Sequence, residues 1–226
     1  MPPRKFFSPR LGLGISLAAL VISLTLGNAR AQSTEVCGPA PAVQAALDQL
    51  PRHTPALTDW QFHQQRVAAL EALLRQYPDD VFIQRAYINL MYSTSDKDKV
   101  IAEFKARHER NPDDPQSAYL YGLTLVGRQS PEAIKLFSAA LEKDPKFALP
   151  HLQLVSIYSS PVFMNKEQRV AHLKAFLAAC PATLEGYDPL TRIDDKDLQR
   201  TYAPKLRSLL ASRDDVDAVG AYPTLW

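Results

Sequence analysis

Glycine is scarce in this chain, and so are the motifs that usually carry chemistry. Only 8 of the 226 residues are glycine, and the sequence contains no G-x-G-x-x-G, no Walker-type phosphate loop and no G-x-S-x-G nucleophile turn. The 5 histidines show no metal-ligand spacing, either among themselves or with the 2 cysteines. We therefore expect no catalytic residue, no metal site and no cofactor. The chain is interpreted as a binding protein and not as an enzyme.

A strong net charge is also missing from most of the chain. The first 31 residues contain four basic residues and no acidic one, so the formal charge of +2 for the whole chain becomes −2 for residues 32–226. Proteins that bind nucleic acid usually carry a basic patch and a clearly positive balance. This absence argues against a nucleic-acid partner.

Residues 1–31 have the features of a bacterial-type secretory signal. They combine a basic start, an uncharged apolar run over residues 11–27, and small side chains at Ala29 and Ala31. Cleavage before Gln32 would leave an exported protein, periplasmic or secreted, with no membrane span. An uncleaved N-terminal anchor is the alternative interpretation, because the apolar run is nearly long enough to cross a bilayer.

Cysteine is limited to Cys37 and Cys180. In an oxidising compartment the two could pair and close a loop of more than a hundred residues. Two free thiols are equally compatible with the sequence. The segment that starts at Cys37 has Ala40 where the C-x-x-C redox motif needs a second cysteine, so we do not interpret it as a redox site.

Proline is plentiful, and four prolines are regularly spaced. Pro78, Pro112, Pro145 and Pro181 each end an apolar-periodic stretch, at intervals of 34, 33 and 36 residues. Each interval has room for two helices and a short turn. Regular spacing of this kind is typical of a stacked repeat array.

The middle interval shows the expected pair of helices. Asp114 and Pro115 begin the first helix, residues 127–129 form a turn, and Ser130 is predicted to cap the second helix, which ends before Pro145. The acidic pairs 79–80, 113–114 and 194–195 all stand at predicted helix starts, where carboxylates satisfy free N–H groups. We interpret these pairs as helix caps and not as catalytic carboxylates.

Gly122 lies inside the first of these two helices, where glycine is unfavourable. We interpret it as a point of close approach that lets the small side chains of Ala133 and Ala140 on the second helix come near.

These residues resemble the tetratricopeptide-repeat (TPR) family. The middle unit carries most of its pattern, and the units before and after match less completely, with Ile88 and Val155 in place of the glycine. The matching residues are Tyr121, Gly122, Leu125, Ala133, Phe137, Ala140 and Pro145 in the middle unit, Tyr87, Met91, Val100, Phe104 and Pro112 before it, and Leu154, Tyr158, Leu173, Phe176 and Pro181 after it. The resemblance implies an all-α fold, an α-α superhelix in which helix-turn-helix repeats form a right-handed solenoid with capping helices.

The predicted organisation has five parts. The signal peptide, residues 1–31, is followed by residues 32–57, an N-terminal segment with a short helix, and by TPR-like repeats over 58–181. Residues 182–213 are a C-terminal capping helix region, in which Asp194 is predicted to cap a helix that Pro204 kinks or divides. Residues 214–226 are a tail or the start of a missing domain.

The resemblance also implies that a protein or peptide partner binds in the concave groove lined by the first helix of each repeat. The groove residues implied in this way are Phe82, Arg85, Asn89, Tyr92, Gln116, Tyr119, Leu123 and Ser156. Arg85 and Asn89 resemble half of the family's clamp for peptide carboxylates, but Leu120, Leu149 and Gln153 do not supply the other half. We therefore expect an aromatic, mildly apolar groove that holds a helix or an extended segment through Tyr92 and Tyr119. In the alternative interpretation, the groove residues pack against the chain's own N-terminal or C-terminal segment.

A different class of function is also compatible with the sequence. The chain would then be the accessory N-terminal region of a larger secreted enzyme, redoxin-like or hydrolase-like, whose catalytic domain follows Trp226. The apolar end of the chain, from Val219 to Trp226, suggests this interpretation because most chains end in polar residues. Trp226 docking back onto the helices would explain the same feature. No sequence feature indicates an oligomeric state.

Overall fold

A computed structural model describes residues 37–52, 58–92 and 94–211 of the chain. The predicted signal peptide, parts of the N-terminal segment and the tail with Trp226 lie outside the described residues. Within them the secondary structure is entirely helical. The helices are α1 (Pro41–Asp48), α2 (Asp59–Gln76), α3 (Val81–Met91), α4 (Lys97–Arg110), α5 (Pro115–Leu125), α6 (Ser130–Lys143), α7 (Leu149–Ile157), α8 (Lys166–Ala179), α9 (Tyr187–Thr191) and α10 (Lys196–Ala211), with a 3-10 turn at Leu184–Gly186 between α8 and α9.

Three successive hairpins form the centre of the fold, and the regularly spaced prolines close them as predicted. α3 and α4, α5 and α6, and α7 and α8 are the three pairs. Pro78, Pro112, Pro145 and Pro181 each follow the last residue of α2, α4, α6 and α8 by two positions. The capping residue between helix and proline has the same backbone conformation at all four ends, with φ between −137° and −127° and ψ between 59° and 91°. The prolines therefore occupy equivalent corners.

In two of the acidic pairs, one aspartate caps a helix and the other forms an ion pair. The Asp80 carboxylate accepts hydrogen bonds from the first turn of α3, and the Asp114 carboxylate does the same for α5. Asp79 instead pairs with Arg107 near the end of α4, and Asp113 pairs with Lys143 at the end of α6. In each of these two hairpins, the acidic pair thus starts the first helix and contacts the end of the second.

Two predicted caps are wrong by one residue. Gln129 is the N-cap of α6, and Ser130 is the first residue of the helix, where its buried hydroxyl accepts a hydrogen bond from the N–H of Gly127 at 3.2 Å. At α10 it is Asp195, not Asp194, whose carboxylate accepts from the N–H of Leu198 at 2.8 Å. Of the two effects expected of Pro204, a kink or a division, the division does not occur, because α10 continues through Pro204 as one element.

Gly122 is a point of close approach, but its neighbour is not a small residue. A β-carbon at this position would lie 2.8 Å from Cε1 of Phe137, whose ring is fully buried. The expectation that Ala133 and Ala140 explain the glycine is therefore wrong. The aromatic ring of α6 lies directly on the backbone of α5.

The array is capped at both ends by helices with their own apolar clusters. At the N-terminal end, Val43 of α1 packs with Leu70 of α2 and Ile83 of α3. At the C-terminal end, Tyr187 and Tyr202 belong to a cluster that joins α8, α9 and α10. Both caps place the three hairpins between fixed neighbours, as terminal units of an array require.

Candidate functional site: the inner face of the helical array

The predicted groove residues lie on α3, α5 and α7, the first helices of the three hairpins, and α5 contacts both of the others. The residues fall into an exposed set and a buried set. Asn89, Tyr92 and Ser156 are exposed, Arg85 and Gln116 are half-buried, and Phe82, Tyr119 and Leu123 are buried. Only the first two groups offer surface to a ligand.

Tyr119 is a core residue, which corrects its assignment as a residue that holds a ligand. Its side chain is 0% exposed, and its ring packs edge-on against Phe147, with 5.2 Å between the ring centroids. Burial raises the pKa of Tyr119 to about 12, although the positive charge of Arg85 opposes the rise. The hydroxyl of Tyr119 makes no hydrogen bond of standard geometry. It is a polar atom enclosed beneath the inner face.

Arg85 is already engaged by a carboxylate of the same chain. Its guanidinium forms a two-pronged contact with Glu185 in the 3-10 turn, with Nη1 at 3.2 Å from Oε2 and Nη2 bonded to Oε1. The arginine also lies over the ring of Phe82, 5.8 Å from the ring centroid. Its side chain is only 18% exposed. Arg85, which with Asn89 resembles half of the family's carboxylate clamp, therefore forms an internal ion pair with Glu185.

Sequence reasoning missed Glu185, although a signal for it exists. Glu185 follows Pro181 by four positions, and Phe82, Gln116 and Leu149 follow their own prolines by the same number. Extending the repeat register by one more unit would have placed Glu185 on the same face as these three. The Leu184–Gly186 turn is too short to carry an amphipathic pattern, so the sequence shows no helical repeat signal directly after Pro181.

A disulfide joins Cys37, just before α1, to Cys180, the C-cap of α8. The pair belongs to a small apolar cluster with Ala148 and Phe176. The two cysteines are separated by 143 positions, with 5.2 Å between their Cα atoms. In the structure, the segment before α1 is therefore fastened at the corner that Pro181 closes. This bond and the Arg85–Glu185 pair both connect the start of the array to its end.

Two of the four described histidines face each other between α7 and α8. Nδ1 of His151 lies 2.9 Å from Nδ1 of His172, and the ring of Tyr158 stacks on His172. Burial, together with the neighbouring His172, lowers the pKa of His151 to about 4. Burial lowers the pKa of His172 as well. At neutral pH both rings are uncharged and one donates its hydrogen to the other, so the pair is a polar contact between two helices.

Two further properties bear on this face and its surroundings. Nowhere in ranges 37–52, 58–92 and 94–211 do three or more metal-ligating side chains come together. In the same ranges, no helix has both the length and the hydropathy that a membrane span requires.

Comparison with known proteins supports the fold and not a particular activity. No protein-family model matches the sequence, and no curated protein matches it either. Among solved structures, a thermophilic TPR protein from Thermus thermophilus superposes with a TM-score of 0.53 at 16% identity, over 73% of this chain and 90% of that one. A mutant of MamA matches at the same identity, over 73% of this chain and 88% of the other, with a TM-score of 0.38. The first superposition and the hairpin architecture show that this chain has the fold of a TPR-like solenoid, as the resemblance to the TPR family implied.

Proposed function

We propose that this TPR-like protein is an exported interaction module that binds a segment of a partner protein on the exposed part of its inner face. The observation that carries the proposal is the register of that face. Asn89 of α3 and Ser156 of α7 are both exposed, and each follows its own proline by eleven positions. Asn89 and Ser156 thus mark the two ends of a row whose middle position, Leu123 of α5, is buried. Two exposed side chains on either side of an apolar position suit one extended or helical segment.

Rigidity beneath the row supports the same proposal. The layer under it contains Tyr119 and Leu123, both buried, and the Arg85–Glu185 pair holds α3 to the far end of the array. A face that is already ordered loses little conformational entropy when a ligand binds. Tyr92 adds an aromatic edge, since it is 44% exposed while its hydroxyl donates to the carbonyl of Val126 at 2.8 Å.

Export is part of the proposal and has two supports. The first 31 residues have the composition of a secretory signal, and the structure pairs the two cysteines in a disulfide, a bond that persists in oxidising compartments. Fractionation of cells that make the full chain tests this directly. We expect the protein outside the cytoplasm, with Gln32 as its first residue. Recovery from the cytoplasm with its N-terminus intact would contradict export.

The proposal assigns no reaction to the described residues. The titratable side chains with the most altered pKa values serve structural contacts, Tyr119 in the core and His151 against His172. A catalytic acid or base needs access to a substrate. Tyr119 has no exposed surface.

Photocrosslinking tests the binding face. A photoreactive amino acid is placed at Asn89 or at Ser156, and as a control at Ala171, an exposed residue of α8. We expect the first two positions to give adducts with the same partner in cells, and the control position to give none. Discrete adducts of equal yield from Ala171, or none from the two inner positions, would overturn the assignment.

A binding measurement completes the test once the partner is captured. The double variant Asn89→Arg/Ser156→Arg should lower its affinity by about tenfold or more, because two bulky cations enter the contact. Ala171→Arg should leave the affinity unchanged. Both variants should keep the helical circular dichroism of the wild type, since all three positions are exposed.

A further inference from the structure

A wide groove separates α2 from the end of α3 and the connection to α4. Its volume is about 830 Å³, and Trp60, Val67 and Glu71 of α2 form one wall, with Met91 and Asp96 opposite. We call this the Trp60 groove. Neither Asn89 nor Ser156 lines it.

The apolar part of the groove comes from the spacing of residues on α2. Trp60, Gln64, Val67 and Glu71 recur at four-, three- and four-residue steps, so they lie on one face of the helix. Leu70, one three-residue step beyond Val67, borders this face and is fully buried against α1 and α3. Trp60 is 66% exposed, which is unusual for so large an apolar side chain. α2 therefore has one face in the core and a second face that presents an aromatic ring.

The charged part of the groove is acidic. Asp59, Glu71 and Asp96 line it, and none of its described lining residues is a lysine or an arginine. Lys99 pairs with Asp96 from outside, but its side chain is 85% exposed, so this contact is weak. Burial raises the pKa of the neighbouring Tyr87 most, and the negative charges of Glu103, Glu71 and Asp96 raise it further.

We propose that the Trp60 groove binds a cationic amphipathic segment of a partner protein. The apolar side chains of the segment would lie on Val67 and on the ring of Trp60, because Met91 is buried. Its lysine or arginine side chains would meet Glu71 and Asp96. This proposal does not depend on the inner-face proposal, because the two surfaces share none of the residues that define them.

Charge favours this occupant over the chain's own C-terminal residues. The chain's own C-terminal residues begin with Asp214, Asp215 and Asp217, and a segment of that composition would be repelled by the groove. A second copy of the chain is distinguished by the sedimentation measurement described below. A basic segment gains from both the apolar floor and the acidic wall.

Fluorescence of Trp60 provides the test. The chain has 2 tryptophans, so the substitution Trp226→Phe leaves Trp60 as the only one. The probe is a synthetic amphipathic peptide of leucine and lysine, roughly 14 residues long, and the matched control replaces every lysine with glutamate. We expect the lysine peptide to shift the Trp60 emission to shorter wavelength with a Kd of about 1–100 μM that weakens with added salt, and we expect the glutamate peptide to have no effect.

Variants decide whether the peptide occupies the Trp60 groove. Glu71→Lys should weaken binding of the lysine peptide by about tenfold or more, whereas Glu142→Lys, an equal change at an exposed position of α6, should alter it by less than about twofold. The Asn89→Arg/Ser156→Arg variant should bind the peptide as the Trp226→Phe protein does. This result would separate the Trp60 groove from the inner face.

Four outcomes would overturn the proposal. Equal binding of the lysine and glutamate peptides would exclude charge recognition, and equal effects of Glu71→Lys and Glu142→Lys would place the peptide elsewhere. Tighter peptide binding after Trp226→Ala than after Trp226→Phe would identify the chain's own end as the occupant. A dimer in sedimentation that Glu71→Lys dissociates would identify a second copy.

Discussion

At the scale of single residues, the side chains whose chemistry looks most unusual are the ones that hold helices together. Tyr119, His151 and His172 all have altered pKa values, and each faces another part of the same chain. Perturbed pKa values often mark active sites, but structural contacts perturb them too. Here burial is the main cause in all three cases.

The His151–His172 pair predicts a dependence of stability on pH. Folding lowers the pKa of His151 to about 4, whereas a histidine in the unfolded chain has a pKa near 6.5. The unfolded chain therefore binds a proton that the folded chain does not, and the free energy of unfolding should fall as the pH drops from about 6.5 towards 4. Above about pH 7 the pair should add no pH dependence.

Thermal unfolding of matched variants measures this effect. Between about pH 7.5 and about pH 4.5, the wild type should lose more stability than His151→Gln/His172→Gln, which cannot take up these protons. His63→Gln leaves the pair intact and should behave as the wild type does. Equal losses in the wild type and the double variant would show that the pair does not control acid stability.

The contact between Gly122 and Phe137 predicts that a small gain in helix propensity is outweighed by a clash. Alanine is better than glycine inside a helix by about 1 kcal/mol, but its β-carbon would lie 2.8 Å from a ring with no exposed surface. Overpacking of this kind costs about 1–3 kcal/mol. Gly122→Ala should therefore lower the free energy of unfolding, as measured in urea.

Two comparisons identify the cause. Gly38→Ala, at a site where a β-carbon meets nothing within 4 Å, should be nearly neutral. In a Phe137→Leu background, which removes the ring edge, Gly122→Ala should become stabilising. If the substitution destabilises the protein equally in both backgrounds, the Phe137 ring is not what excludes a side chain at Gly122.

At the scale of helices and corners, each acidic pair is made of two residues that act differently. The Asp114 carboxylate accepts hydrogen bonds from the N–H groups of Gln116 and Ser117, both at 3.2 Å. The neighbouring Asp113 is exposed and contacts only the flexible end of Lys143. Asp113 and Asp114 are therefore a matched pair, since substituting each in turn compares an exposed ion pair with a helix cap at the same corner.

We predict that the cap matters and the exposed ion pair does not. Asp114→Ala should lower the free energy of unfolding by about 1 kcal/mol, because N–H groups at the start of α5 lose their partner. Asp113→Ala should change it little, since exposed ion pairs contribute weakly. Chemical denaturation of the two variants in the same buffer gives both values. A larger effect at Asp113 would contradict this division of roles.

The sequence predicted most of the elements because their ends are encoded locally. Pro145 and the residues before it are enough to end α6, and Asp114 with Pro115 is enough to begin α5. The errors at Ser130 and Asp194 are of one residue, because neighbouring polar side chains compete for the same free N–H groups. The expectation that Ala133 and Ala140 lie next to Gly122 was wrong for a different reason. The repeat period shows which face of a helix a residue is on, but it does not show which side chain of the next helix contacts that residue.

At the scale of the whole molecule, two contacts join parts of the array that a linear stack would keep apart. In an ideal solenoid each repeat contacts only its neighbours. Here Arg85 of the first hairpin pairs with Glu185 beyond the third, and the segment before α1 is bonded to the end of α8. The predicted groove is therefore bridged at the position of Arg85, so that only part of it can receive a ligand.

This closure is also the part of the candidate site that sequence reasoning could not supply. The burial of Tyr119 and the engagement of Arg85 depend on how far the array curves, and curvature accumulates from small rotations between successive hairpins. The period of the prolines contains no information about those rotations. The sequence left open an alternative in which groove residues pack against the chain's own N-terminal or C-terminal segment. The contact between Arg85 and Glu185 is of this kind.

Closure predicts that the disulfide stabilises the whole array and not one helix. The bond spans 143 positions, and restricting so long a loop in the unfolded chain stabilises the folded state by about 5 kcal/mol at most. Reduction, or the variant Cys37→Ala/Cys180→Ala, should lower the urea midpoint by an amount equivalent to about 2–5 kcal/mol. The helical circular dichroism before unfolding should stay the same, because the helices are capped and packed locally.

The second bridge makes this prediction sharper. Glu185→Gln weakens the contact with Arg85 and leaves the disulfide in place. Either bridge alone keeps the two ends together, so Glu185→Gln should lower the free energy of unfolding more when the disulfide is absent than when it is present. Thiol titration of the unfolded, unreduced protein is the necessary control and should find no free cysteine. Two reactive thiols would contradict the pairing. Independent, additive effects of the two bridges would instead show that the ends of the array meet without reinforcing each other.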